Sequence, residues 1–238
     1  MTLNALEQPS SAHRVVALLT TVVNTEGETE ARIGSHHVRW RLLQAQAAAL
    51  RRPLPLLAAV VSARPKNGEY EAAVFAALRE GARRFPAVGA VAFGDLFLAD
   101  IKAWREGMVA RFTDKSLQPL FPLWGQETGA LARRCVDMGF RARLVCVDTT
   151  QLDPGFAGRE FDGALLDELA GLENLGPGKG AVDLCLENGE AHTFVYDGPV
   201  FARRVAVVEA GGPGTRLDDG RFAYCDLVLA APAAAEEE

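Results

Sequence analysis

The chain lacks most of the features that mark the simplest functional classes. No apolar run approaches the roughly 20 residues that cross a bilayer as a helix, so no membrane partner is expected. Met1 to His13 carries neither the basic start nor the apolar centre of a secretory signal, which points to the cytoplasm. Cysteine is sparse: Cys135, Cys146, Cys185 and Cys225 are far apart and form no Cys-x-x-Cys pair. That excludes a zinc knuckle or a disulfide framework and fits reduced thiols; no metal site is expected. Positive charge is in deficit, 25 Lys and Arg against 31 Asp and Glu, so nucleic acid is not an expected partner. A Gly-x-x-x-x-Gly-Lys-Ser/Thr loop is missing too. Gly176-Pro177-Gly178-Lys179-Gly180 has the wrong spacing and no strand-then-helix context, so it reads as a loop, as does Gly211-Gly212-Pro213-Gly214. Neither a Ser/His/Asp triad nor an internal repeat stands out.

What is present is apolar material. Hydrophobic residues make up 49% of the chain, enough for one large domain or a domain with an appendage. Apolar runs at Arg14 to Val23, Leu54 to Val61, Ala90 to Phe93 and Leu144 to Val147 read as strands buried on both faces. Helical spacing fills the intervals, over Ser35 to Leu50, Glu69 to Arg84, Ala99 to Phe112 and Gln126 to Met138. Strands alternating with helices predict a parallel, Rossmann-like sheet flanked by helices over residues 14–150. The rhythm changes after Thr150. A short helix at Phe161 to Leu169 and a loose glycine-rich stretch lead to strands at Ala191 to Tyr196, Arg204 to Glu209 and Phe222 to Leu229. The turn at Leu217 to Gly220 predicts that the last two form a hairpin. Residues 151–230 therefore read as a smaller mixed α+β domain, 1–13 as a loosely ordered arm and 231–238 as a tail.

The richest stretch is Leu184 to Pro199. It places Glu187, Asn188, Glu190 and His192 within six positions, around an Asn188-Gly189 turn that leads into a strand. Alternation puts Glu190, His192, Phe194 and Tyr196 on one face. Two carboxylates and an imidazole at a turn can bind a cation, orient a nucleophile or move a proton; equally, the tip can simply be solvated. Ligands of open α/β sheets collect beyond the carboxyl ends of strands. Thr20 and Thr21, Gly94 and Asp95, and Asp148 qualify by that rule. Gly94 leaves room for a ligand near the backbone, and Asp95 either lines that site or caps the next helix. His36 and Arg39, at a helix start, suit an anion or a solvated first turn. Trp124, in Leu120-Phe121-Pro122-Leu123-Trp124-Gly125, either stacks a purine or fills a core.

Several segments, in order, resemble the diphthine–ammonia ligase-like family. They include Val16 to Val22, His36-x-Val38-Arg39, Gln44-Ala45-Gln46, Glu69-Tyr70-Glu71, and Val91-Ala92-Phe93-Gly94-Asp95-Leu96. The series continues with Arg105-Glu106, Phe121 to Gly125, Leu152-Asp153, Ala157-Gly158-Arg159, and Glu187-Asn188-Gly189-Glu190 running into His192-Thr193-Phe194. The resemblance implies an ATP pyrophosphatase of the PP-loop class with an adenine-nucleotide α-hydrolase-like (HUP-type) fold. ATP and Mg²⁺ would be the cofactors, and a small-molecule carboxylate and an amine the substrates. The carboxylate would be adenylated and the amine would then displace AMP. Thr20, Thr21, His36, Arg39, Gly94, Asp95 and Trp124 would belong to the nucleotide side, and Glu187, Asn188, Glu190 and His192 to the acceptor side. The family's Ser-Gly-Gly-x-Asp-Ser loop, with its strand, has no counterpart before Arg14. Without that strand, two sheet edges are expected to pair directly, to take the N-terminal arm, or to meet another chain, a second copy included. The alternative is a non-catalytic relative that binds a small molecule or regulates. Leu186 stands where relatives often carry glycine, which would stiffen the turn.

Overall fold

The computed structural model describes residues 1–23, 31–33, 37–176, 180–210, 215–218 and 220–231. The fold is mixed α/β, built from small sheets. Leu18–Val23 (β1) and Leu56–Val61 (β2) form a parallel pair, as do Ala90–Ala92 (β3) and Gln118–Leu120 (β4). Between them run helices Trp40–Ala49 (α2), Asn67–Arg84 (α3) and Ala99–Arg111 (α4). Thr2–Leu6 is a short helix (α1), so the expected loose arm is partly folded, with Asn4 and Leu6 buried. Among the described residues no strand pairing joins β1 to β3. They meet through side chains: Leu19, Val91 and Phe93 pack against a core of Leu57, Ala59, Val74, Ala77, Leu78, Met108 and Phe112. Thr20 and Thr21 lie inside β1, paired with Ala58 and Ala59, because the β-branched run Thr20 to Val23 carries the strand past them.

The fourth apolar run does not join a parallel sheet. Arg141–Asp148 (β5) follows helix Thr128–Asp137 (α5) and sits between Ala191–Asp197 (β6) and Phe222–Cys225 (β9), antiparallel to both. Burial on both faces is common to central strands of either kind, so the hydrophobic run alone does not reveal direction. The predicted final hairpin is also rearranged. Phe222–Cys225 turns back on Thr215–Asp218 (β8), while Val207–Glu209 (β7) pairs with Leu227–Leu229 (β10). Asp226 breaks the last predicted strand in two.

Helices cover both faces of the β6-β5-β9-β8 sheet. On one, Leu42, Ala49 and Leu50 of the α2 region pack with Val145, Phe194, Tyr196 and Leu227. On the other, Leu165 and Leu169 of helix Gly163–Ala170 (α6) pack with Leu144, Val147, Ala191 and Ala223. Backbone bonds reinforce the first contact: Ala202 N–H donates to Ala49 O at 2.8 Å and Arg51 N–H to Val200 O at 2.9 Å. Gln46 Nε2 also donates to Val195 O at 2.6 Å. Val22 of β1 shares this core, so the β1–β2 pair and the antiparallel sheet are held against each other.

Candidate functional site

The end of β3 and the turn before β6 meet. Gly94 and Asp95 follow β3 at its carboxyl end, and Asp95 is buried. Asp95 does not cap α4, whose first turn has no side-chain cap. Its carboxylate instead takes Arg105 Nε at 2.8 Å (Oδ2) and 3.1 Å (Oδ1), since Arg105 lies two turns into that helix and reaches back. On the facing turn, Glu187 Oε1 accepts from Leu96 N–H at 3.1 Å, so the carboxylate bridges the two segments directly. Burial first, then the neighbouring charges of Asp95 and Asp183, hold the Glu187 carboxyl above its ordinary range, against the Leu96 hydrogen bond and Arg105.

The turn itself is heavily bonded. Asp183 Oδ2 accepts from Glu187 N–H at 2.8 Å, and Gly189 N–H donates to Leu186 O at 3.2 Å. Gly189 has φ 81° and Leu186 φ 62°. The turn thus needs two left-handed residues, of which only one is glycine. Glu190 is fully buried, and Asp183 N–H donates to its Oε1 at 3.1 Å. Behind it, Asn174 Nδ2 donates to Gln151 Oε1 at 3.1 Å, and Gln151 Nε2 to Asp148 Oδ2 at 3.1 Å. Burial works against ionisation of Asp148, but hydrogen bonds from Arg221, Thr150 and Gln151 outweigh it and hold the carboxyl well below the usual carboxylate range. Asp148 is therefore a fixed anion at the end of β5. His192 lies opposite Cys146 on β5, and burial lowers its pKa, so the imidazole is neutral near pH 7. Phe194 and Tyr196 enter the α2 core, whereas Glu190 precedes the strand and turns toward Asp183 and Asn174; the expected shared face is not one chemical unit.

The other predicted residues are distributed unequally. Trp124 is half-buried beside Phe121, with the Lys102 ammonium 5.3 Å from its ring centroid and 5.0 Å from that of Phe121. Phe121 stacks on Phe93, over which Arg105 lies at 4.8 Å. Trp124 thus belongs to an aromatic and cationic wall adjoining Asp95. Arg39 does not: its guanidinium grips Asp226 with Nη2–Oδ2 at 2.6 Å, beside Arg32. His36 and Ser35 lie outside the described residues, as does Lys179. The space next to Gly94 is taken, because a Cβ there would stand 3.1 Å from Thr2 Oγ1. Asp183, Gln151 and Asn174 carried no sequence signal. They sit in irregular segments, and only their burial, Asp183 at 9% exposure, marks them. Among the described residues, no group of three or more His, Cys, Asp or Glu is arranged to hold a metal ion, and no helix is long and apolar enough to cross a membrane.

Residues 127–216 match the family model described as the diphthamide synthase C-terminal domain. The match supports a relation to the diphthine–ammonia ligase-like proteins over that segment. It begins at Glu127, the residue that caps α5 through Gly129 N–H and Ala130 N–H, and it takes in β5, β6 and the whole Glu187–His192 turn. No curated protein matches the chain.

Proposed function

We propose that the junction between the Gly94–Leu96 loop and the Glu187–His192 turn serves an ATP-dependent amide-forming reaction. A carboxylate oxygen of the acceptor attacks the α-phosphorus of ATP and pyrophosphate leaves. The amine nitrogen then attacks the acyl carbon, the C–O bond to AMP breaks, and the nitrogen gives up its extra proton. A free carboxylate is a poor electrophile, and adenylation supplies the leaving group that makes the second step possible. The Glu187 carboxyl, raised by burial and by Asp95 and Asp183, suits acceptance of that proton. Neutral His192 and Asn188 line the acceptor side. Trp124, with Lys102 close by, offers ATP a ring to stack on and positive charge. Mg²⁺ would arrive on the phosphates rather than in a protein cage, since Asp95 is already occupied by Arg105. In this reading the parallel pairs β1–β2 and β3–β4 are parts of one Rossmann-like sheet, residues 14–150 form the nucleotide side and 151–230 the acceptor side. The protein works in the cytoplasm on small molecules.

The observation that carries this reading is the Glu187–Leu96 hydrogen bond, which brings the polar turn to the carboxyl end of β3. A second reading, a non-catalytic binding or regulatory relative, draws on Thr2 filling the space at Gly94 and Arg39 being committed to Asp226. Calorimetric titration with Mg-ATP separates the two. Micromolar binding, followed by pyrophosphate release when a carboxylate and ammonium are added, is the expected result. Absence of nucleotide binding by the folded chain would favour the non-catalytic reading.

A further inference from the structure

The short helix α1 rests on the segments that the proposed reaction uses. Met1 and Ala5 pack against Leu96, Leu123 and Leu131, a cluster that Cys185 also joins. Leu96 follows Asp95 and gives its N–H to Glu187, Leu123 precedes Trp124, and Cys185 leads into the Glu187–His192 turn. Thr2 Oγ1 would stand 3.1 Å from a Cβ at Gly94. Leu3 packs instead against the core under α2. The helix therefore lies at the carboxyl end of β3, where ligands of α/β sheets collect, and it fills the approach to Gly94. A nucleotide on Trp124 and α1 on Leu123 would compete for the same place.

The attachment of α1 is light. Five residues fall well short of the roughly 12–15 at which an isolated helix begins to hold in water, so α1 exists only through its packing. No side chain caps its start. Backbone bonds close it from Ala5 N–H to Met1 O at 2.9 Å and from Glu7 N–H to Leu3 O at 3.0 Å. The Glu7 carboxylate takes Arg52 Nη2 at 2.8 Å, but both side chains are partly exposed, and such a surface pair adds little. Glu7 to Ser10 are exposed and belong to no helix or strand, which lets the helix swing on that stretch. What seats α1 is apolar contact by a few side chains, Met1, Leu3, Ala5 and Leu6. A ligand with stronger contacts to the same wall can displace it.

We infer that α1 is a displaceable plug, seated on the nucleotide side of the site until Mg-ATP takes its place. The inference deepens the proposed function and rests on it for the identity of the ligand. A seated plug lowers the apparent affinity for ATP by the fraction of chains in which it is already out. The test is calorimetric titration of the whole chain with Mg-ATP, wild type against Leu3→Ser. Leu3 packs on the α2 core rather than on Leu96 or Leu123, so its loss loosens α1 without altering the wall around Trp124. Leu3→Ser is expected to bind Mg-ATP about three- to tenfold more tightly than wild type. Hydrogen exchange of the wild-type chain needs no variant: saturating Mg-ATP is expected to speed exchange at the Ala5 and Glu7 amides, whose bonds exist only while α1 is seated. Equal or weaker binding by the folded Leu3→Ser chain would overturn the inference, as would ATP binding with unchanged or slower exchange at both amides. Either result leaves the nucleotide reading in place. Binding of Mg-ATP by neither chain would overturn both.

Discussion

Leu186 and Glu187 stand next to each other and illustrate opposite kinds of tension. Leu186 holds φ 62°, a conformation that costs an ordinary L-residue about 1–2 kcal/mol. Its side chain, 5% exposed, packs with Val182 and Ala191, and such burial contributes about 1.5–3 kcal/mol. Packing therefore wins, which explains how leucine is tolerated where the turn prefers glycine. Glu187 carries electrostatic tension instead. Its folded-state pKa is raised, so ionising it opposes folding, and that penalty grows as pH rises through its titration. Glu187→Gln keeps an oxygen for Leu96 N–H and removes the repulsion with Asp95 and Asp183. We expect unchanged or slightly higher stability in urea, within about 1 kcal/mol, together with a fall in amide formation of at least tenfold. Equal turnover in the variant would remove Glu187 from the chemistry. Glu187, Asn188, Glu190 and His192 were visible in the sequence because polar residues crowd a recognisable Asn-Gly turn. Asp183, Gln151 and Asn174 were not, because nothing in a loop's sequence reveals that it will be buried.

Among the elements, β6 owes its placement to its two ends. Its start is fixed by the Glu190 turn, with Asp148 N–H donating to Glu190 O at 2.9 Å. Its far end is fixed at Gly198, φ 150°, where a Cβ would lie 2.5 Å from Phe140 Cδ1. Phe140 is buried and cannot swing away freely. Gly198→Ala should accordingly destabilise the protein by roughly 2–3 kcal/mol, through both overpacking and backbone strain, as a lower midpoint in chemical denaturation would reveal. An effect under about 0.5 kcal/mol would mean that β6 is anchored elsewhere. The existence of β1, β2, β3 and β5, and of α3 and α4, was legible from hydrophobic period. The partners of β5 were not, since a strand buried on both faces looks the same whether its neighbours run with it or against it.

At the scale of the whole molecule, Asp226 ties the ends of the chain together. It lies between β9 and β10 and takes the guanidinium groups of Arg32 and Arg39, which both precede α2. Burial raises the Asp226 pKa, but the two arginines outweigh burial and hold it at about 2, below its ordinary 3.8. The stability this provides is therefore complete above about pH 4 and is lost as pH falls through about 2. Asp226→Asn should lower stability at pH 7 by about 1–3 kcal/mol and flatten that part of the acid limb in a stability–pH profile. A profile unchanged between wild type and variant would show that the pair contributes nothing net. Arg39, expected on the nucleotide side, is instead held by a carboxylate of the same chain, 187 residues away.

By itself the sequence determined what local pattern can determine: apolar runs, helical faces, the sharp Asn-Gly turn, the lack of a membrane-length helix, and a polar cluster worth attention. Tertiary structure alone decided that β5 runs antiparallel to its neighbours and that Glu187 reaches Leu96. It also decided that Asp226 claims Arg39 and that one oxygen of Glu190 is buried without a donor among the described residues. The physical reason is range. Periodicity and turn chemistry act over a few residues and are written locally, whereas burial and charge pairing depend on residues brought together from distant parts of the chain.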